Sequence, residues 1–287
     1  MKKVKKITAF IVAAALVFGL VSCRDSHDKK SENKEQTKAS ETQTEKKEVS
    51  VTTENAVPVT TEAQTAEENA DVSRDIEKFR GKKLLAITFD DGPYTPVTTS
   101  LLERLDKFDA RVTFFVLGSR LDSSESYRNT MKKAYETGNQ IASHTYSHSD
   151  LSRLSDEELK KDIDKANAAI KNVIGVEPTA VRPPYGAIND KVRTAMKKNI
   201  IIWSVDPEDW KYRNAQTVCN NICRRAFDGG IVLLHDLYQT SVDGAVMAME
   251  KLSKEGYAFV TVDELAQLRG VEMDTSTKYF QFKPAES

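Results

Sequence analysis

The sequence predicts an α/β domain, folded as a distorted or incomplete (β/α) barrel with mainly parallel strands. From Lys82 onward, short apolar segments typical of buried strands alternate with segments whose apolar residues recur at helical spacing. This alternation is typical of parallel strands joined by helical crossovers. Roughly seven such units over about 190 residues favour a barrel over an open sheet covered on both faces.

The predicted strands are residues 83–89, 112–117, 140–143, 179–182, 200–205, 230–234 and 257–262. Helices are predicted over 98–108, 125–137, 155–173, 189–198, 215–227, 241–255 and 263–269. Ser155 and Glu158 have the spacing of a capping box, which predicts where the helix over 155–173 begins.

The N-terminus predicts export. A basic start is followed by an apolar run over 7–21 that suits a signal peptide and is short for a membrane-spanning helix. Leu20-Val21-Ser22-Cys23 resembles the bacterial lipoprotein box, so residues 1–22 are predicted to be a lipoprotein signal peptide and Cys23 the lipidated residue. The alternative is an ordinary signal peptide with a chance cysteine. In the lipoprotein interpretation, a lipid on Cys23 anchors the protein to the outer face of the bacterial cell membrane.

Composition divides the rest of the chain into three parts. Residues 23–76 lack aromatic residues and glycine and are rich in charged and polar residues, which predicts a disordered tether behind the lipid anchor. Residues 77–270 form the predicted folded domain, and residues 271–287 form a polar tail. The net charge of −1 gives no sign of a nucleic-acid partner. We expect a monomer.

Cys219 and Cys223 lie four residues apart on a predicted helix. Without further cysteine or histidine nearby they are a weak metal signal. Core packing is the favoured interpretation, with a free thiol pair or a strained disulfide as alternatives.

Polar residues are concentrated where five predicted strands end. These ends carry Asp90-Asp91, His144-Thr145-Tyr146-Ser147-His148, Arg182-Pro183-Pro184-Tyr185, Asp206-Pro207-Glu208-Asp209-Trp210 and His235-Asp236. In parallel α/β folds, ligands bind beyond the carboxyl ends of the strands. The sequence therefore predicts one site that is assembled from all five segments.

The residue types suggest metal-assisted hydrolysis. His144 and His148 with one carboxylate can form a two-histidine, one-aspartate metal site. The second carboxylate of the Asp90-Asp91 pair can then act as a general base, and His235 can protonate a leaving group. Tyr185 and Trp210 are expected at the rim, where sugar rings commonly stack on aromatic side chains.

Together these five segments resemble the ordered motifs of the polysaccharide deacetylase family, carbohydrate esterase family 4. The resemblance covers residues 83–268 and extends to all five motifs. It implies a distorted (β/α) barrel and a divalent metal, usually Zn²⁺ and sometimes Co²⁺ or another transition ion. It also implies hydrolysis of N-acetyl groups on chitin-like glycans or peptidoglycan, or of O-acetyl groups on xylan.

The resemblance assigns a role to each motif residue. Asp90 is implied as the catalytic base and His235 as the acid, with Arg182 positioning the base and Asp209 tuning the acid. The implied metal ligands are Asp91, His144 and His148. The implied substrate contacts are the Tyr185 N–H at the oxyanion and the side chains of Trp210 and Leu233 as walls of the acetyl pocket. Asp206 also matches a motif, but no role is assigned to it.

The predicted function is thus N-deacetylation of N-acetylglucosamine in peptidoglycan by a lipid-anchored, metal-dependent enzyme. An O-acetylxylan esterase or a chitooligosaccharide deacetylase is the alternative within this class. A catalytically silent glycan-binding module is the alternative from another class. The presence of both Asp90 and His235 argues against it, because binding alone needs neither a base nor an acid.

Overall fold

The computed structural model describes residues 74–284. The predicted signal peptide, Cys23 and nearly all of the predicted tether lie outside the described residues. The strands are β1 (Lys83–Asp90), β2 (Thr113–Val116), β3 (Gln140–Ser143), β4 (Ala180–Val181), β5 (Asn199–Ile201), β6 (Gly230–His235), β7 (Tyr257–Phe259) and β8 (Lys278–Tyr279). The α-helices are α1 (Thr95–Leu105), α2 (Gly118–Ser123), α3 (Glu125–Glu136), α4 (Asp156–Ile174), α5 (Asp190–Met196), α6 (Asp209–Tyr212), α7 (Ala215–Arg225), α8 (Gln239–Lys254) and α9 (Val262–Leu268).

The predicted alternation of strands and helices is confirmed, with differences at the ends of elements. Helix α1 begins three residues earlier than predicted, because Pro96 suits the first turn of a helix. The capping box of Ser155 and Glu158 is present at the start of α4. The short helices α2 and α6 were not predicted, since four to six residues carry too little periodicity to be recognised.

The strands form one parallel sheet in the order β6-β1-β2-β3-β4-β5-β8, with β7 paired to the first part of β1. Single bridges from Val205 to Val232 and from Gly230 to Gln281 link the two ends of this order. The sheet is therefore curled into a distorted barrel, as the alternation of elements predicts.

Successive side chains along each strand point to opposite faces of the sheet, and this produces two apolar layers. Leu85, Ile87 and Phe89 of β1 point to the outer layer, where they pack against the helices. Leu84 and Ala86 point to the inner layer, together with Phe115 of β2 and Ile231 of β6. The inner face is the one that continues into the site at the carboxyl ends of the strands.

The C-terminal residues correct the sequence analysis. A polar tail was predicted from residue 271, but β8 pairs in parallel with β5, and Phe282 is 3% exposed within the inner layer. The tail prediction is wrong because it relied on local polarity, whereas two paired residues and one buried ring are enough to attach this segment to the barrel.

The first described residues also contact the domain. Arg74, which the sequence analysis placed in the tether, donates to both carboxylate oxygens of Glu264 and to the carbonyl of Phe259. Cys219 is buried in the outer layer and Cys223 packs against it, both as free thiols, which confirms core packing. Among residues 74–284, no helix has the length and apolar character needed to cross a bilayer.

Candidate metal centre and active site

The inner face of the barrel ends in polar side chains. Counting in twos along β1 leads from Ala86 through Thr88 to Asp90, and along β6 from Ile231 through Leu233 to His235. The register pairs Asp90 with His235, so these two residues are cross-strand neighbours. His144 and Arg182 directly follow β3 and β4 and complete the same rim.

Asp91, His144 and His148 form a group that could hold a metal ion, with ligand atoms within 4.8 Å of one another. Asp91 Oδ1 lies 3.5 Å from His144 Nε2 and 3.2 Å from His148 Nε2. A tetrahedral ion with bonds of about 2.0–2.1 Å separates neighbouring ligand atoms by roughly 3.4 Å. Within residues 74–284, Oδ1 of Asp91 is buried and has no hydrogen-bond donor, which suits an atom that faces a cation.

The second ring nitrogen of each histidine also has a partner. His144 Nδ1 lies 2.7 Å from the carbonyl of Arg182, so Nδ1 carries the proton and Nε2 presents its lone pair to the site. Burial lowers the pKa of His144, despite the opposing effect of Asp90 and Asp91, and favours the neutral ring that a metal requires. His148 Nδ1 lies 3.3 Å from the hydroxyl of Tyr185.

Arg182 connects three strand ends. Its side chain is fully buried, lies over the ring of Phe115 and places Nη1 2.6 Å from Asp90 Oδ1. The same nitrogen donates to the hydroxyl of Thr88, which in turn donates to the carbonyl of Val232. Asp90 is thus held through Oδ1, while its Oδ2 lies 3.7 Å from His144 Nε2.

His235 is held as a proton donor by Asp209. The Asp209 carboxylate, which is fully buried, accepts the His235 backbone N–H at 2.9 Å and lies 3.0 Å from Nδ1. Burial lowers the pKa of His235, but the hydrogen bond and charge of Asp209, with the charges of Asp90 and Asp91, outweigh burial and raise it to about 9. The ring therefore carries a proton at neutral pH.

The loops around the site contain strained backbone. Several non-glycine residues there have positive φ, namely Asp91, Thr145, His148, Tyr185 and Glu208. Each such residue costs about 1–3 kcal/mol and persists only where the surroundings fix it. Two of them, Thr145 and His148, lie in the ligand loop (residues 144–148), which carries both histidines of the group that could hold a metal ion.

The predicted substrate contacts lie at the rim. The side chains of Tyr185 and Trp210 are 70% and 50% exposed, as expected for rim aromatics. Within residues 74–284, the Tyr185 backbone N–H has no acceptor, so it is free to donate to a ligand. Leu233 is buried on the same face of β6 as His235, and Trp210 follows Asp209 in α6.

Sequence reasoning did not assign a role to three supporting residues. Asp206, left without a role, accepts the backbone N–H of Glu208 at 2.8 Å and so shapes the turn that leads to Asp209. Thr88 links Arg182 to β6, as described above. Asp162 of α4 binds the ligand loop through its carboxylate. For Asp162, the only signal is its position on the apolar face of α4, where it is buried.

Asp236 does not orient His235, although the two are adjacent in sequence. It is buried, accepts a hydrogen bond from Thr98 and lies so close to Gly92 that any side chain at that position would collide with the carboxylate. Burial raises the pKa of Asp236 to about 7. The glycine after Asp91 is therefore required by close packing.

The model of the polysaccharide deacetylase family matches residues 77–200 of this chain. Three individual relatives are also similar to it. The peptidoglycan-N-acetylmuramic acid deacetylase PdaC of Bacillus subtilis is 43% identical over 188 residues, which are 66% of this chain and 40% of that protein. This chain thus spans about two fifths of that relative. The solved structure of PdaC matches with a TM-score of 0.64 at 42% identity, over 67% of this chain and 93% of that chain.

The other two relatives are covered over more of their length. A peptidoglycan-N-acetylglucosamine deacetylase of Bacillus cereus is 35% identical over 66% of this chain and 90% of its own length. A family 4 acetyl xylan esterase from Clostridium thermocellum, solved with a cobalt ion, matches with a TM-score of 0.66 at 29% identity, over 69% of this chain and 98% of that one. With its barrel and its five strand-end motifs, the chain belongs to the polysaccharide deacetylase family.

Proposed function

We propose that this protein is a metal-dependent hydrolase that removes acetyl groups from a cell-surface polysaccharide. The finer proposal is N-deacetylation of N-acetylglucosamine in peptidoglycan. The observation that carries it is the placement of Asp90 and His235, as cross-strand neighbours, beside the group formed by Asp91, His144 and His148.

Each residue of the site has a separate role in the proposed reaction. Asp91, His144 and His148 would hold a divalent ion, which would supply the Lewis acidity that polarises the acetyl carbonyl and makes water more acidic. Asp90, fixed by Arg182, takes the proton of the attacking water through Oδ2. The free N–H of Tyr185 donates to the oxyanion as the carbonyl carbon becomes tetrahedral.

His235 completes the reaction. The C–N bond breaks as the protonated ring gives its proton to the leaving amine, so acetate and a free amino sugar are formed. Asp209 stabilises the cationic ring before this step. A glycan-binding module would need no such pair, and this supports an enzyme over the silent module.

Relatives support a wall polysaccharide but differ in the acetylated sugar. The Bacillus subtilis relative is named for N-acetylmuramic acid and the Bacillus cereus relative for N-acetylglucosamine. The cobalt-containing relative is an acetyl xylan esterase, which makes O-deacetylation of xylan the second candidate. For the metal, the two-histidine, one-carboxylate set suits Zn²⁺ and also accepts Co²⁺.

We also propose that the protein is exported, acts as a monomer and is held at the outer face of the cell membrane by a lipid on Cys23. The basic and apolar N-terminal sequence before Cys23 supports this location. The polar sequence that follows it would let the domain reach the wall.

Acetate release tests the proposed function. The full-length protein, reconstituted with Zn²⁺, is given peptidoglycan, N-acetylglucosamine oligomers and acetylated xylan in parallel. We expect the fastest release from peptidoglycan, with new free amines on glucosamine. Release from xylan alone would establish the esterase alternative, and release from none of the three would contradict deacetylation.

A further inference from the structure

The ligand loop is held by a buried carboxylate on a separate helix. Asp162 of α4 is 8% exposed. Its Oδ1 accepts the backbone N–H of Tyr146 at 2.8 Å, and its Oδ2 accepts the N–H of Ser147 at 3.1 Å and also the Ser147 hydroxyl. These are the two peptide groups at the centre of the loop, between His144 and His148.

The position of these contacts matters because the loop is strained on both sides of them. Thr145 and His148, which flank the two bound peptide groups, have φ of 73° and 59°. Backbone in this region needs external contacts to hold it. Asp162 can accept both N–H groups at once because an ionised carboxylate has two acceptor oxygens and no donor.

Backbone contacts from other elements fix the first half of the loop, whereas the second half has side-chain contacts from Ser149 to the Ser147 hydroxyl and from Tyr185 to the His148 ring. The N–H groups of Gly118 and Ser119, at the start of α2, donate to the carbonyls of Thr145 and Tyr146. His144 is fixed by its own N–H to Val116 and by its ring to Arg182. For His148, Asp162 is the nearest backbone anchor along the loop, since it holds the adjacent residue Ser147.

We propose that Asp162 is a positioning residue of the metal centre, which sets the geometry of His148 relative to Asp91 and His144. This inference rests on the proposed metal site. Asp162 is not a member of the group that could hold the metal, and it acts through the backbone of residues 146 and 147. Residues that orient metal ligands from behind typically change metal affinity by about 10–100-fold when they are mutated.

The substitution Asp162→Asn tests this inference most sharply. The amide has the size of the carboxylate, but its NH₂ group faces a backbone N–H donor, so at least one loop contact is lost. The matched control is Asp164→Asn, two residues further along α4, where the side chain is 58% exposed and pairs with Lys160. Both variants are made in the full-length protein and stripped of metal.

Metal affinity is measured by titrating Zn²⁺ against a chromophoric chelator, and coordination by the visible spectrum with Co²⁺. We expect Asp162→Asn to bind Zn²⁺ about 10–100-fold more weakly and to alter the Co²⁺ spectrum, while Asp164→Asn matches the parent. Parental affinity and spectrum in folded Asp162→Asn would overturn the inference, even if the melting temperature fell. A parent that binds no metal would overturn the metal centre itself and the inference with it.

Ser147→Ala decides the question if Asp162→Asn does not fold. It removes the hydroxyl that donates to Asp162 and contacts Ser149 Oγ, and it keeps both peptide contacts, so we expect a smaller loss of Zn²⁺ affinity, about threefold or more. Parental affinity in Ser147→Ala would then overturn the inference.

Discussion

The surroundings of His144 favour a neutral ring, whereas those of His235 favour a protonated one. Burial lowers the pKa of His144, and its Nδ1 proton goes to a backbone carbonyl, so it offers a lone pair. His235 faces the carboxylate of Asp209 and has a raised pKa, so it keeps its proton. Sequence motifs predicted both residues. The carbonyl that fixes His144 could not be predicted, because every residue has one and only the fold selects it.

The pKa of His235 leads to a prediction for the pH dependence of activity. An acid must be protonated, so activity that depends on His235 is present below about pH 9 and is lost as the pH rises through that value. Asp209→Asn removes the charge that favours the protonated ring. We therefore expect the alkaline limb of kcat to move to lower pH, as measured by acetate release across pH.

The control for this experiment is Glu208→Gln, an exchange at the residue before Asp209, where the half-buried side chain pairs with Lys211. Its alkaline limb should coincide with that of the parent. An unchanged limb in Asp209→Asn would show that another group limits the rate at high pH.

Replacing the acid should affect amides and activated esters differently. We expect His235→Ala to lose amide hydrolysis by about two to four powers of ten, the usual contribution of a positioned proton carrier. An acetyl ester with a phenolic leaving group hardly needs a proton on departure, so its hydrolysis should largely persist. Equal losses on both substrates, with metal content intact, would argue that His235 has a binding or structural role.

At the scale of elements, the strands place the site and a short C-terminal segment attaches to the barrel. Strand and helix positions could be predicted because the spacing of apolar residues indicates which face of each element is buried. The two residues of β8 could not be predicted, since their pairing with β5 depends on a contact more than seventy residues away in the chain. The same holds for Arg74, whose partner Glu264 is distant in sequence.

Phe280 and Phe282 provide a matched test of that attachment. Phe282 is 3% exposed in the inner layer, whereas Phe280 is 45% exposed. Phe282→Ala should lower the free energy of unfolding by about 3–5 kcal/mol, the usual cost of removing a buried ring. Phe280→Ala should change it by less than about 0.5 kcal/mol. Denaturant unfolding measures both, and equal values for the two variants would mean that the segment does not contribute to the core.

At the scale of the whole molecule, the lipid anchor remains a prediction from residues outside the described part of the chain. Cys23→Ala removes the predicted acceptor of the lipid, so the protein should move from the membrane fraction of the producing bacterium into the medium. Immunoblots of both fractions measure this change. Membrane retention of the Cys23→Ala protein would show that something other than a lipid on Cys23 holds it there.

In the proposed mechanism, Asp90 acts as a base beside a metal that other residues hold. The most direct measurement is acetate release from peptidoglycan by full-length Asp90→Asn, with bound metal quantified in the same sample. We predict parental metal content and a rate lower by about two to four powers of ten, because the amide cannot take the proton of water. A parental rate at parental metal content would contradict the claim.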